Sequence, residues 1–211
     1  MDFSLSALCR CPLFQKTDYI QVKGEWLKMT LIVLDAGHGP ETPGKRSPDG
    51  KLREFQFNLA VAEMVGIRLT REGLNVRYVH ENSRDVPLSE RTAAANRMKA
   101  DAYVSIHANA HTSGWSEAQG IETYIYPAAS KSSAILANLV QQSLITACKR
   151  PDRGVKKANF AVLRDTQMPA VLAECGFMSH KTEAVLLQSK VYQLQCARAL
   201  AFGILNWAYQ K

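Results

Sequence analysis

Two histidines and two glutamates stand where the chain can bring chemistry together. His38 lies between Gly37 and Gly39, just past the apolar run Thr30-Leu31-Ile32-Val33-Leu34. His107 follows Ala102-Tyr103-Val104-Ser105-Ile106, and Glu174 follows Val171-Leu172-Ala173. Glu54 opens an amphipathic stretch after the first loop. Two imidazoles, one carboxylate and an open fourth position make a common hydrolytic zinc site. Such a metal polarises a carbonyl and lowers the pKa of bound water to about 7. On position alone, His38, Glu54 and His107 also read as hydrogen-bonded groups at a loop rim. A carboxylate at the end of an apolar strand is partly desolvated, which raises its pKa toward the range of general acid/base work. Glu174 therefore reads as a proton carrier, with a structural ion pair as the alternative.

The elements that must position these residues follow from periodicity. The run at 30–34 is continuously apolar, as in a strand buried on both faces. Glycine and proline punctuate the loop after it, and 41–52 is polar. Phe57, Ala60, Val61, Met64 and Val65 recur at helical spacing, so a helix is expected over 53–72 with Gly73 as its stop. Further strands are expected at 74–80, 102–106, 121–126, 160–163 and 170–173. Further helices are expected at 87–99, 132–149, 180–188 and 191–209. Strands alternating with amphipathic helices predict a three-layer α/β/α domain on a mostly parallel or mixed sheet of about six strands. Open sheets of this kind gather ligands beyond the carboxyl ends of their strands. His38, His107 and Glu174 all fall there.

The chain has 211 residues, 46% of them hydrophobic, enough for one full core. Its net charge of +7 favours an anionic partner. The basic residues are scattered and lack interleaved aromatics, which argues against nucleic acid. Five cysteines at irregular spacing do not make a disulfide framework. No apolar stretch approaches the ~18 residues of a membrane span.

Residues 1–28 differ from the rest and show no sustained periodicity. They read as an N-terminal extension, either disordered or a mis-called start, ahead of a catalytic domain over 29–211. Asp2 stands where a secretory signal carries positive charge, and Ser4, Ser6 and Arg10 break the apolar run. Lys23-Gly24-Glu25 can be encoded by AAAGGAGAA, a purine-rich sequence of the kind that precedes a start codon, and Met29 follows it. Without an evident signal, the expectation is synthesis in the cytoplasm and action after release, lysis or a non-standard export.

The blocks LDAGHGP (34–40), REFQFNLA (53–60), LSERTAAAN (88–96), ADAYVSIHANA (100–110), GIETYIYP (120–127) and FAVLRDTQMPAVLAECGFMSHKTEAVLL (160–187) resemble those of the amidase-3 family. These are zinc-dependent N-acetylmuramoyl-L-alanine amidases. The resemblance covers nearly all of 30–208. It implies one zinc ion on His38, Glu54 and His107, with Glu174 catalytic. It also implies cleavage of the amide between the lactyl group of muramic acid and L-alanine in peptidoglycan, as in phage endolysins and bacterial autolysins. Ala36 replaces the family's usual proline, and His180 stands where asparagine is common; His180 is expected to act locally at a helix start. Asp35 is expected to orient a ligand, Arg91 to make a buried ion pair, and His80 to be structural. Asn109, His111 and Arg164 are candidates for touching substrate.

Three rivals remain at this point. Cys175 beside Glu174 would be the nucleophile of a thiol peptidase. A zinc carboxypeptidase or aminopeptidase would share the chemistry and differ in substrate. An inactive wall-binding module would keep the fold without turnover. A monomer is expected, with anionic wall polymers as further partners through charge.

Overall fold

The computed structural model describes residues 19–22, 25–111 and 114–210. Strands β1 (Tyr19–Val22) and β2 (Glu25–Lys28) form an antiparallel pair ahead of the main sheet. Part of the stretch that shows no sustained periodicity in sequence therefore pairs as two short strands. Residues 1–18, and with them most of the start-site question, lie outside the described residues.

The main sheet has six strands in the order β4-β3-β5-β8-β6-β7. They are β3 (Leu31–Ala36), β4 (Asn75–Tyr78), β5 (Ala102–Asn109), β6 (Ile121–Ile125), β7 (Asp152–Lys157) and β8 (Ala170–Phe177). All neighbours are parallel except β6 and β8, so the sheet is mixed. The helices are α1 (Glu54–Arg71), α2 (Leu88–Arg97), α3 (Lys131–Cys148), α4 (Ala161–Arg164), α5 (Lys181–Gln188) and α6 (Lys190–Ala208). The expected three-layer domain is present. Two local expectations fail. The stretch 160–163 holds the start of the short helix α4 rather than a strand. Strand β7 was not foreseen at all.

Side chains alternate across a strand, so each central strand feeds two cores. Ile32, Leu34, Val104, Ile106, Val171 and Ala173 join the larger core, with side chains of α1, α3 and α6. Leu31, Val33, Tyr103, Ala170 and Leu172 join the smaller one, with Ala95 of α2 and Val162 of α4. Two close approaches depend on glycine. A Cβ on Gly66 of α1 would sit 1.8 Å from the Tyr78 hydroxyl. One on Gly203 would sit 2.8 Å from Val140 Cα, so α6 lies nearly backbone to backbone on α3.

The same alternation sorts the site residues. Glu174 shares its face of β8 with Leu172, on the α2/α4 side. Cys175 points the other way and is fully buried in the larger core. A buried thiol packed among aliphatic side chains has no access to substrate, which removes the thiol-peptidase reading.

Candidate metal and catalytic site

Strands β3, β5 and β8 lie side by side, and their carboxyl ends carry the site. Gly37 donates its N–H to the Ile106 carbonyl at 3.0 Å, which ties the loop after β3 to β5. The His107 ring then lies directly over Gly37: an added Cβ would be 2.1 Å from His107 Cε1. Only glycine leaves room for that ring. The next residue, His38, has a φ of 65°. This left-handed conformation is uncommon outside glycine and turns the imidazole back toward α1. Glu54, at the first turn of α1, is buried. Its backbone N–H donates to the Lys45 carbonyl at 2.9 Å, so the loop 41–53 is pinned to the helix start.

The Glu54 carboxylate reaches both histidines. Oε2 is 3.0 Å from His38 Nε2, and Oε1 is 2.8 Å from His107 Nδ1. The two rings meet edge to face, with centroids 5.1 Å apart. One ligating atom from each of the three residues lies within 4.8 Å of the others. Burial opposes ionisation of Glu54, but hydrogen bonds from His107 and His38 outweigh it and hold its pKa below the ordinary carboxylate range.

The orientation of the His107 ring follows from its neighbours. Asp35 is fully buried, and despite that burial Arg91 and the hydroxyls of Ser105 and Tyr103 keep it ionised. Arg91 lies 2.7 Å from Oδ1, and Tyr103 and Ser105 each donate to Oδ2 at 2.8 Å. An ionised carboxylate only accepts, so the Ser105 proton points at Asp35. The Ser105 oxygen must then accept from His107 Nε2, 3.2 Å away. His107 Nδ1 then faces the Glu54 carboxylate at 2.8 Å; burial opposes a charge on the ring, but the hydrogen bond to Glu54 raises its pKa, and the proton between the two atoms occupies the place a metal cation would take. Histidines that bind metals are oriented in this way, by a donor contact from the far ring nitrogen. The donor set and its outer partners therefore fit a divalent metal with nitrogen and oxygen ligands.

Glu174 sits one strand away, paired in register with His107 on β5 and with Glu122 on β6. Its Oε2 is buried and has no hydrogen-bond partner among the described residues. Burial pushes its pKa up to about 8, with the charges of Glu54 and Glu122 adding to the rise and that of His107 opposing it. An unpaired buried carboxyl oxygen is costly in a protein and points to a group it meets only during function.

Two lobes of a cleft meet over these residues. One, of about 800 Å³, is lined by Lys45, Arg46, Asn109 and His111 beside His38, His107 and Glu174. The other, of about 700 Å³, is lined by Val86, Leu88, Phe160 and Val162 beside the same three residues. A third groove of about 620 Å³, between α3 and α6, contains no histidine, cysteine or carboxylate.

The other expected residues divide. Asn109 lines both lobes and donates to Glu122 at 2.7 Å. His111 lines the polar lobe, its backbone held by Ser179. Arg164 does not reach the site. It lies at the end of α4, pairs with Asp165 at 2.7 Å and faces a separate pocket beside Tyr126 and Met168. The helical turn at 161–164 re-aims it; as a strand residue it would have pointed along the sheet. Arg91 makes its buried ion pair, and His80 accepts from the Ala36 N–H at 2.9 Å. His180 caps α5 through a contact from the Glu183 N–H. Lys45 and Glu122 were missed. A glutamate inside the apolar strand Ile121–Ile125 was the available signal for the second; Lys45 had none beyond a polar loop.

A six-stranded α/β/α sandwich with a His-Glu-His cluster able to hold a metal ion, and a carboxyl with an enclosed oxygen beside it, has the arrangement of a metal-dependent hydrolase at the strand ends. The family described as N-acetylmuramoyl-L-alanine amidase (Amidase_3) matches residues 32–206, and the chain belongs to it. It is 36% identical over 178 residues to the N-acetylmuramoyl-L-alanine amidase CwlM of Bacillus licheniformis, covering 83% of this chain and 68% of that one. It is 34% identical over 179 residues to the endolysin of Bacillus phage SPP1, covering 82% and 64%. The catalytic domain of the amidase CwlV from Bacillus (Paenibacillus) polymyxa var. colistinus superimposes with a TM-score of 0.80 at 35% identity, covering 87% of this chain and all of that domain.

Proposed function

We propose that this chain hydrolyses the amide between N-acetylmuramic acid and the L-alanine of the peptidoglycan stem, with one zinc ion on His38, Glu54 and His107. Family membership supports the bond and the substrate. The observation that carries the chemistry is the buried, unpartnered Oε2 of Glu174 beside the histidine-glutamate cluster. Zinc, when bound, polarises the scissile carbonyl and favours ionisation of water.

The chain's own residues do the rest. Glu174 Oε2 accepts a proton from attacking water and passes it to the leaving alanine nitrogen. Burial raises the Glu174 pKa above the ordinary carboxylate range, which suits one carboxyl to both transfers. Ser105 and Asp35 keep the His107 ring turned so that Nδ1 faces Glu54. Asn109 is held by Glu122 at the cleft floor and offers its remaining polar capacity to the substrate amides.

No helix among the described residues is long and apolar enough to cross a membrane. In this reading the enzyme meets the wall after release or lysis, and its charge of +7 draws it to anionic wall polymers.

Digestion of purified peptidoglycan with and without a chelator tests bond and metal together. The expected result is loss of activity on chelation, recovery on zinc addition, and new N-terminal alanine on released peptides. Release of terminal D-alanine instead would support the carboxypeptidase reading. Activity indifferent to chelation would overturn the metal assignment.

A further inference from the structure

The two lobes of the cleft differ in chemistry, and that difference carries a direction. Lys45 lines both lobes at their junction, and Arg46 lines the polar one. Both are exposed, and neither has a carboxylate partner among the described residues. Their backbone is not free to drift. The Lys45 carbonyl accepts from Glu54, the Arg46 backbone bridges Arg53, and the Arg53 side chain donates to the Pro40 carbonyl at 2.6 Å. Ser47, next in the chain, is buried. Two unpaired cations are thus presented at the reacting centre by the same loop that supports Glu54. The charge of Lys45 already acts on Glu174 across the cleft.

The opposite lobe lacks Arg46, and its lining surface is mainly apolar. Its wall carries the Asp85 carboxylate, fixed by the Glu41 N–H at 2.9 Å and the Thr42 hydroxyl at 2.5 Å. Its apolar surface includes the partly exposed ring of Phe160, set edge to face against Tyr124 at 5.2 Å between centroids. An exposed ring beside a carboxylate suits a neutral sugar, which offers C–H faces and hydroxyl donors.

Given the amidase reading, on which this rests, we propose that the stem peptide lies in the polar lobe with the free carboxylate of its second residue on Lys45, and that the muramyl sugar lies in the apolar lobe against Phe160. Lys45 is then a specificity-determining residue: it separates stems with a free carboxylate at the second position from stems in which that group is amidated.

The test uses the zinc-loaded full chain and two soluble muramoyl peptides that differ only in whether that carboxylate is free or amidated. For Lys45→Ala, KM for the free-acid substrate rises about tenfold relative to that for the amidated one, the scale of one charge-assisted hydrogen bond. In the same variant the ratio of kcat/KM on the free-acid substrate to that on the amidated one falls about tenfold, whatever change the two share through Glu174, and Lys45→Arg restores the ratio. Equal loss on both substrates, or loss confined to kcat, overturns the proposal and leaves the amidase reading standing. Wild-type protein that frees no N-terminal alanine from either substrate overturns both.

Discussion

Asp35 and Glu174 are two carboxylates drawn out of water on strands separated only by β5, and they are treated in opposite ways. Asp35 collects Arg91, Tyr103 and Ser105, so both oxygens are satisfied and its pKa is lowered in spite of burial. Glu174 is half-buried at the cleft, its Oε2 is enclosed without a partner, and its pKa is raised to about 8. The first group is fixed in one charge state and holds its surroundings in place. The second is poised to change state. The lesson is that partners, more than burial, separate a structural carboxylate from a reactive one.

The contrast can be broken from either side. Glu54, which links the two regions through His107, gives the largest effect. Glu54→Gln is expected to leave no stoichiometric metal after dialysis and to bring activity to background, read by metal analysis and peptidoglycan turbidity. Next is the Asp35 side. Arg91→Ala strands a buried carboxylate, and such breaks cost about 3–5 kcal/mol, measurable as a lower urea midpoint at unchanged slope. Ser105→Ala removes the hydroxyl between Asp35 and His107. A loss of about 10- to 100-fold in metal affinity is expected.

The effect that is smallest when read over a single pH unit sharpens the Glu174 side. Its folded pKa lies above its unfolded one, so the folded state holds the proton more tightly. That contribution is complete below about pH 4.5 and is lost as pH rises through about 8. In metal-free protein, wild type should lose stability relative to Glu174→Gln across that window, by at most about 1.4 kcal/mol per pH unit. Parallel stability curves for the two proteins would count against the raised pKa.

Much of this was legible in the residues. The continuous apolar runs marked β3, β5 and β8, because strands covered on both faces need apolar side chains throughout. Strand β7 was not legible. Its Asp-Arg-Gly-Val-Lys-Lys sequence carries the charge typical of an edge, and it is held by backbone pairing with β6 that leaves no hydrophobic pattern. The four apolar residues at 160–163 suit a strand or a helical turn equally, and only their packing against α2 and β8 decides. His107 and Glu174 were expected as strand caps. Instead they lie inside β5 and β8, which run on to Asn109 and Phe177. The resemblance to a family supplied the grouping of His38, Glu54 and His107, since 53 residues separate the last two in sequence. The lobes could not be read at all, because they are formed by loops meeting in space.

The central claim is that Glu174 moves protons and does not hold the metal. It is tested by loading Glu174→Gln with zinc and measuring bound metal and turnover on the same sample. The account predicts one zinc per chain, as in wild type, with turnover lowered about 10²- to 10⁴-fold. Loss of the metal, or turnover at the wild-type rate, would contradict it.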